Sequence, residues 1–315
     1  MTGYLIRRIA QAIVVVFGVV LLTFLLTKII PGGYARAALG QRSTPAAIAQ
    51  FNRDHGLDRS IFYQFAHYVW RLLHGDLGYS YHYNQTVVSL IRSKLPETLI
   101  LVGLSTVFAL IVAVPLGILQ VVRRNTPIDY ALTGASFAGY AMPSFLLGTL
   151  LILWFAIDIP IFSFEAPQST SMWGIISDPR GWILPVVTLS AITIAGFSRY
   201  MRSSMMETMT EDYIRTARAK GAGPNRVMYR HALRNALIPI ITLLGLTLPA
   251  IVGGAIITET VFNWNGMGLL TTNAATQNDV PVLIGTTLVA AIATVAGNLL
   301  ADLLYAVADP RVRYA

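Results

Sequence analysis

Six stretches of this chain run for roughly the length of a bilayer-crossing helix without one charged side chain, and no other feature restricts its fold so severely. They cover residues 9–26, 98–122, 130–155, 182–198, 235–258 and 280–301. A hydrocarbon core of about 30 Å takes some 20 helical residues. Inside it the backbone must satisfy its own hydrogen bonds, which leaves helices or closed barrels. Uninterrupted apolar runs rather than alternating ones select the helix. The expectation is an all-α integral membrane protein with six transmembrane helices. Composition agrees: 12% of residues are charged, about half the share of an ordinary soluble domain.

The fourth run is short, at 17 residues, but can continue as helix through "RYMRSSMMETM" into water. The first resembles a signal peptide, with Arg7 and Arg8 before it and "ARA" at 35–37. Its 18 residues exceed the usual h-region of about 7–15, and five runs follow, so an uncleaved signal anchor is expected.

Positive charge orients the spans. With the N-terminus in the cytoplasm, the inner segments hold fourteen Lys and Arg against six acids, and the outer segments nine against nine. The whole net charge of +8 then lies on one face. Both termini are expected in the cytoplasm, with the segment between the fourth and fifth runs. That topology accounts for the basic charge. With three Lys against twenty Arg and no soluble basic domain, nucleic acid is not an expected partner. Cysteine is absent, which excludes disulfides, thiolate metal sites and a Cys nucleophile.

About 65 residues, 31–95, form the expected external loop. In "SIFYQFAHYVWRLLHGDLG", Ile61, Phe62, Phe65, Val69, Leu72 and Leu73 share one helical face, suited to lying on the membrane surface or packing on the spans. His55, His67, His74 and His82 fall here without tight ligand spacing or a carboxylate cluster, so no metal site is expected. "NQT" at 84–86 is a glycosylation sequon by pattern only.

The inner segment "EDYIRTARAKGAGPNRVMYRHALRN", 211–235, carries its own grammar. Thr210 is a plausible N-cap, and Glu211 and Asp212 suit the positive end of a helix. Glu211 and Arg215 are spaced to pair. Ala217, Ala219 and Gly221 keep part of the helix slim; Gly221 and Gly223 can take a left-handed stop, and Pro224 suits a new first turn. A helix of about eleven residues, some 16 Å long, then a sharp turn and a second helix entering the fifth run, are expected. A solvated basic loop explains the charge alone. The cap, small residues and stop suggest a docking element that fits a groove on another subunit.

This segment resembles the cytoplasmic coupling loop of ATP-binding-cassette importer permeases, in the form of the B-type permease subunit of oligopeptide/dipeptide (peptide/nickel) importers. "YLIRRI", "GDLGYSY", "LPETLILV", "MPSFLLGTLLI", "RSSMMETMTEDY", "GGAIITETVFNWNGMGLL" and "DLLYAVADPRVRY" match as well, in order, over nearly the whole chain. Against the general Glu-Ala-Ala motif aligned on Gly221, only Ala217, Gly221 and Leu233 agree; Arg215, Thr216, His231 and Arg234 follow the peptide branch. The resemblance implies the type I importer fold: an N-terminal span in 1–30, the external loop 31–95, and a transmembrane domain over 96–308. Its spans are expected near 98–122, 130–155, 182–204, 235–258 and 280–304, with the coupling loop at 205–234 and a tail at 309–315. It implies a related second permease subunit, two ATPase subunits or one fused ATPase, an external substrate-binding protein, and the bacterial cytoplasmic membrane. This chain is expected to bind no cofactor and to have no catalytic residue. Lys28, Lys94 and Lys220 precede Ile, Leu and Gly, so no Gly-Lys-Ser/Thr phosphate loop exists here, and ATP and Mg would belong to the ATPase subunits.

Tyr213, Arg215, Ala217, Lys220, Gly221 and Gly223 are the expected ATPase contact. Pro115, Pro143, Pro239 and Pro249 are candidate helix pivots, or prolines that membrane helices simply tolerate. Gly253 and Gly254 suit close packing. Glu259, Asn263, Trp264, Asn265 and Asp279 are expected to line an outer loop, either facing the binding protein or purely structural. Asp302 is expected to pair with an Arg near the end of the last span. A secondary transporter or channel is disfavoured by the lack of mid-span charges and of an internal repeat, an enzyme by the lack of His-Glu-x-x-His or Gly-x-Ser-x-Gly. A non-transporting scaffold is separated from a transporter only by an uptake assay. The cargo, whether dipeptide, oligopeptide, nickel chelate or haem, is not legible.

Overall fold

The computed structural model describes residues 2–30, 32–40, 43–169, 171–247 and 255–308. The protein is almost wholly helical, as its apolar runs require. Among the described residues, four helices are long and apolar enough to cross a membrane: Ile6–Ile29, Val87–Val122, Pro179–Thr208 and Val280–Leu299. A bent pair, Pro127–Ala141 with Ser144–Asp158, makes a fifth if counted as one span. The expected span over 235–258 runs into residues 248–254, outside the described ones, as do Pro249, Gly253, Gly254 and the side chain of Asp302.

The first helix, α1 (Thr2–Ile29), carries the first apolar run. Short helices α2 (Gly33–Leu39), α3 (Pro45–Asp54) and α4 (Ile61–Leu73) follow. Among the described residues the only strands form a hairpin in which β1 (Tyr79–Ser80) pairs antiparallel with β2 (Gln85–Thr86). The turn uses Asn84 at φ 50°, a left-handed conformation that Asn accepts more readily than most residues. Of the two settings open to α4, the observed one is packing on α1. Phe65 sits edge-on to Phe17 and Phe24, and Tyr68 Oη meets Thr23 Oγ1 at 3.2 Å. The predicted apolar face only partly turns inward: Phe62 and Leu73 remain 85% and 78% exposed. The end of α4 is closed by Arg71, which donates to Asp76 at 2.7 Å. Burial opposes the Asp76 charge, but the Arg71 and Gly78 hydrogen bonds outweigh it and hold the carboxyl below its ordinary range. Nearby, burial pushes the Tyr34 hydroxyl up to about 12. His55 stacks on Phe51 at 3.9 Å, and its Nδ1 lies 3.0 Å from the Phe51 carbonyl, a structural use of the ring.

Helix α5 (Val87–Val122) begins well before the predicted span, capped by Thr86, whose hydroxyl accepts from Ser89 N. Beyond it the third apolar run departs from expectation. α6 (Pro127–Ala141) stops at Met142, which is extended (φ −76°, ψ 125°) because a residue preceding proline is driven out of the helical region. α7 (Ser144–Ile152) then leaves at 102° and widens into a π-helical turn over Leu153–Asp158. Pro143 therefore separates two helices and is not a pivot within one. After α8 (Met172–Ile176), the fourth run extends as one helix, α9 (Pro179–Thr208), through the polar continuation expected of it.

α5 lies along α9 for most of its length. Gly117 permits the closest approach: a Cβ there would fall 2.6 Å from Met201 Cβ and 2.8 Å from the Ser198 carbonyl. In lipid, where apolar burial drives helix association little, such small-residue contacts supply much of the packing energy. Outward-facing Ile13, Val14, Val107 and Ile111 are 55–69% exposed, as a lipid-facing surface requires. Replacing Gly117 by Leu should destabilise the chain by about 1–3 kcal/mol or more, lowering its thermal unfolding midpoint in detergent. Gly103→Leu on the same helix, where a Cβ meets nothing within 4 Å, should leave it unchanged.

Candidate functional site

Between α9 and the fifth apolar run the chain forms α10 (Asp212–Ala219), eight residues and about 12 Å long. This is shorter than predicted because Thr210 does not cap it. The Thr210 hydroxyl donates back to the Glu207 carbonyl at 2.7 Å and closes α9. Glu211 takes the cap position through its backbone alone, its carbonyl accepting from Ile214 N and Arg215 N. Glu211 does not pair with Arg215, which instead lies 3.5 Å from Asp212. Both are solvent-exposed, so that contact contributes little.

The far end is a Schellman stop. Gly221 is left-handed at φ 82° and donates to Arg218 O at 2.9 Å, and Ala222 N donates to Ala217 O at 3.1 Å. Gly223 is extended and heads the next turn, with Pro224 in first position as expected, so Gly221 alone makes the stop. The chain then passes through Pro224–Arg226 (α11), a π-helical turn over Val227–Ala232, and Leu233–Ala236 (α12), and breaks at Leu237 before α13 (Ile238–Thr247). Pro239 falls in the first turn of α13, where proline costs no helical hydrogen bond. Of the expected pivots, only Pro115 stands inside a described helix, α5, joined there by Pro96; Pro185 does the same in α9.

α10 is seated by Ile214 and Ala217, three residues apart on one face. They pack into a cluster with Ile118 of α5, Met201 and Met205 of α9, and Val227, Ala232, Ala236 and Ile240 beyond the turn. Tyr213 Oη accepts from Asn235 Nδ2 at 2.7 Å and ties α10 to α12. The expected contact set therefore divides. Ala217 faces this chain's own core, not outward, because the helix packs on the 227–232 turn and a small residue there lets it lie close. Tyr213, Arg215, Lys220, Gly221 and Gly223 are exposed, together with Thr216 and Arg218, which the sequence reading passed over.

At the other end of α5 lies a second constellation. Among the residues expected to line an outer loop, Glu259 is fully buried in α14 (Ile256–Val261), and Trp264 is 1% exposed. The Glu259 carboxylate accepts from Thr98 Oγ1 (2.7 Å), Gly268 N (2.7 Å) and Leu269 N (3.1 Å). The last two are amides at the start of α15 (Met267–Thr276), where negative charge is favoured. Thr98 Oγ1 in turn accepts from Met267 N at 2.8 Å, and Trp264 Nε1 donates to the Glu97 carbonyl at 3.0 Å. Asp279 is also buried and bonded to Ser80 of β1. Asn263 is exposed at φ 49°, and Asn265 is half-buried and accepts from Lys94 Nζ. Glu259, Trp264 and Asp279 are thus structural ties rather than a free outer surface.

These features, a bundle of long apolar helices with a short helix held at one end and exposing Arg215 and Arg218, define a helical membrane protein of several spans. The chain belongs to the family described as the binding-protein-dependent transport system inner membrane component, whose model matches residues 106–314, with the family's N-terminal model on residues 1–102. It is a multi-pass inner-membrane protein, and permeases of this kind are membrane components of importers and not themselves enzymes. It is 38% identical over 316 residues to the oligopeptide transport system permease protein AppB of Bacillus subtilis (strain 168), covering 100% of each chain. It is 36% identical over 337 residues to the dipeptide transport system permease protein DppB of Escherichia coli (strain K12), covering 100% of this chain and 99% of that one. A putative peptide transport system permease protein of Brucella abortus (strain 2308) is 35% identical over 318 residues, with both chains covered in full.

Replacing Glu259 by Ala strands two amides and a hydroxyl without their acceptor and should cost about 3 kcal/mol or more. A drop in folded yield and in thermal midpoint in detergent is the expected result, with Asn263→Gly, which keeps the left-handed backbone at that exposed position, unaffected.

Proposed function

We propose that this chain is one of two non-identical permease subunits of an ATP-driven importer of short peptides. The peptide cargo follows from the names of its relatives; the drive follows from α10. That helix is a short rigid body held on one side by Ile214 and Ala217, and its other side presents Tyr213, Arg215, Thr216, Arg218 and Lys220 to a separate ATPase subunit. Arginine forks pair well with carboxylates on such a surface. ATP and Mg sit in the ATPase subunits, and this chain binds neither. When they close, α10 is pushed, and the push passes through Ile118 to α5 and through Met201 and Met205 to α9. A binding protein delivers cargo at the opposite face, where Asn263 is exposed, and both termini lie in the cytoplasm.

The observation that carries this reading is the seating of α10 on a cluster shared by α5, α9 and the 227–240 segment. Changing Arg215 and Arg218 together to Glu alters exposed side chains and should move stability by no more than about 0.5 kcal/mol. ATP-dependent peptide uptake in proteoliposomes holding all subunits should nevertheless fall at least about tenfold, the equivalent of 1.4 kcal/mol of lost coupling; uptake at the unaltered rate would remove α10 from the drive. The natural chain has no cysteine. Thr216→Cys should therefore react with a membrane-impermeant maleimide from the cytoplasmic side alone when the ATPase is absent, and labelling from outside would reverse the orientation.

A further inference from the structure

Packing on α1 occupies only one side of α4. The side left exposed carries Phe62, Ala66, Trp70 and Leu73, spaced to share one helical face, and Phe62, Trp70 and Leu73 are 85%, 62% and 78% exposed. None of the charged or amide residues of α4 falls on that face. Tyr63 closes its edge, with the Arg59 guanidinium 4.5 Å over the ring. The polar residues of α4 are half-buried on the other side. Gln64 donates to the Leu57 and Arg59 carbonyls at 2.9 and 2.6 Å and accepts from Lys28 Nζ. Arg71 is held by Asp76. His67 and Arg71 line a pocket with Phe24 and Lys28 of α1 and with Pro281 and Ile284 of the final span. A helix on a loop washed by water takes the reverse arrangement, with its polar residues outward.

Depth decides what meets this face. The span of α1 runs over Ile6–Ile29, and α4 holds it at Phe17, Thr23, Phe24 and Lys28. Thr23 lies about 9 Å inside the end of that span and Phe17 about 18 Å. Lys28 is the first charge after the apolar run 9–26. α4 therefore sits where acyl chains give way to headgroups, the level at which Trp and Tyr concentrate in membrane proteins. Leu22, Leu25, Leu26 and Ile29 of α1, in the same turns, are 40–75% exposed, so lipid already faces this end of the bundle. A soluble partner that docks and leaves would abandon the α4 face to water at each departure, whereas lipid is always present. We propose that α4 is an interfacial helix, with Phe62, Ala66, Trp70 and Leu73 sunk among the phospholipid acyl chains of the leaflet at the Lys28 end of α1 and with His67 and Arg71 turned to the protein. Lipid then helps to hold the 31–95 segment at a fixed height over the bundle. This placement requires only that α1 cross the bilayer, and neither the cargo nor the ATPase enters it.

The test places a nitroxide on α4 in the complete complex, reconstituted with cysteine-free partner subunits in liposomes of phosphatidylethanolamine and phosphatidylglycerol. This chain has no cysteine of its own, so one introduced thiol takes the label. Collisions with oxygen, which dissolves in lipid, are compared with collisions with a water-soluble nickel chelate. At Leu73→Cys oxygen should dominate, with an oxygen-to-nickel ratio severalfold above that at Gln50→Cys, an exposed position among the polar residues of α3. A ratio like that at Gln50→Cys means that the face lies in water, and few collisions with either reagent mean that another subunit or the binding protein covers it; each overturns the proposal. Should Leu73→Cys fail to assemble, Ala66→Cys, which adds a single sulfur to the same exposed face, decides by the same comparison.

Discussion

Everything in this protein hangs on α5 lying flush against α9. The two helices meet through Gly117, Ser198 and Met201, where a single added methyl would collide with backbone and side chain together. Because lipid is as apolar as a leucine, nothing gains by hiding apolar surface between membrane helices; close van der Waals fit and a few polar ties must hold them. Three features are attached to this pair. The cluster under α10 uses Ile118 from one helix and Met201 and Met205 from the other. A cavity beside Gln120 opens between them and α6. The Glu259 knot grips α5 at Thr98.

The two ends of α5 are held by opposite means. Near Thr98 the ties are buried hydrogen bonds to a carboxylate and an indole, which have narrow geometric tolerance and strand polar groups if they slip. Near Ile118 the ties are aliphatic and thioether contacts, non-directional and adaptable, with methionine the most adaptable of all. A helix pinned at one end and cushioned at the other is suited to pivot about the pinned end. Of the two roles the sequence left open for the Glu259 segment, a surface for the binding protein or a structural loop, these buried ties favour the structural one.

How much of this was readable depended on the range of the interaction. The apolar runs, the extension of the fourth one past Ser198, the proline start at Pro224 and the left-handed stop at Gly221 depend on neighbours a few residues away, and they stood in the sequence. The family was legible for the same reason, since its motifs are local strings in a fixed order. What escaped depended on distant partners. Asp129 finds Arg202 across 73 positions, and Glu259 finds Thr98 across 161. No local pattern marks either pair. Thr210 failed as a cap because its hydroxyl had a competing carbonyl at Glu207, closer to hand than the amides of α10. A signal was available for one miss: Ile214 and Ala217, three apart amid charged residues, mark an inward face.

The break at Pro143 shows what charge-free length alone leaves out. A run of 26 uncharged residues, 130–155, satisfies any hydropathy criterion, yet Met142 cannot stay helical before proline, and the chain turns by 102°. The bend leaves α6 alone to wall the Gln120 cavity, while α7 crosses to pack Gly148 against Val261 and Phe262, beside the Glu259 knot. Pro143 thus divides the third apolar run between the cushioned end of α5 and the pinned one. A straight helix there would have joined the two ends rigidly. The break instead lets α6 tie to α9 through Asp129 and Arg202 while α7 packs beside the knot, so one proline distributes a single apolar run over both ends of the bundle.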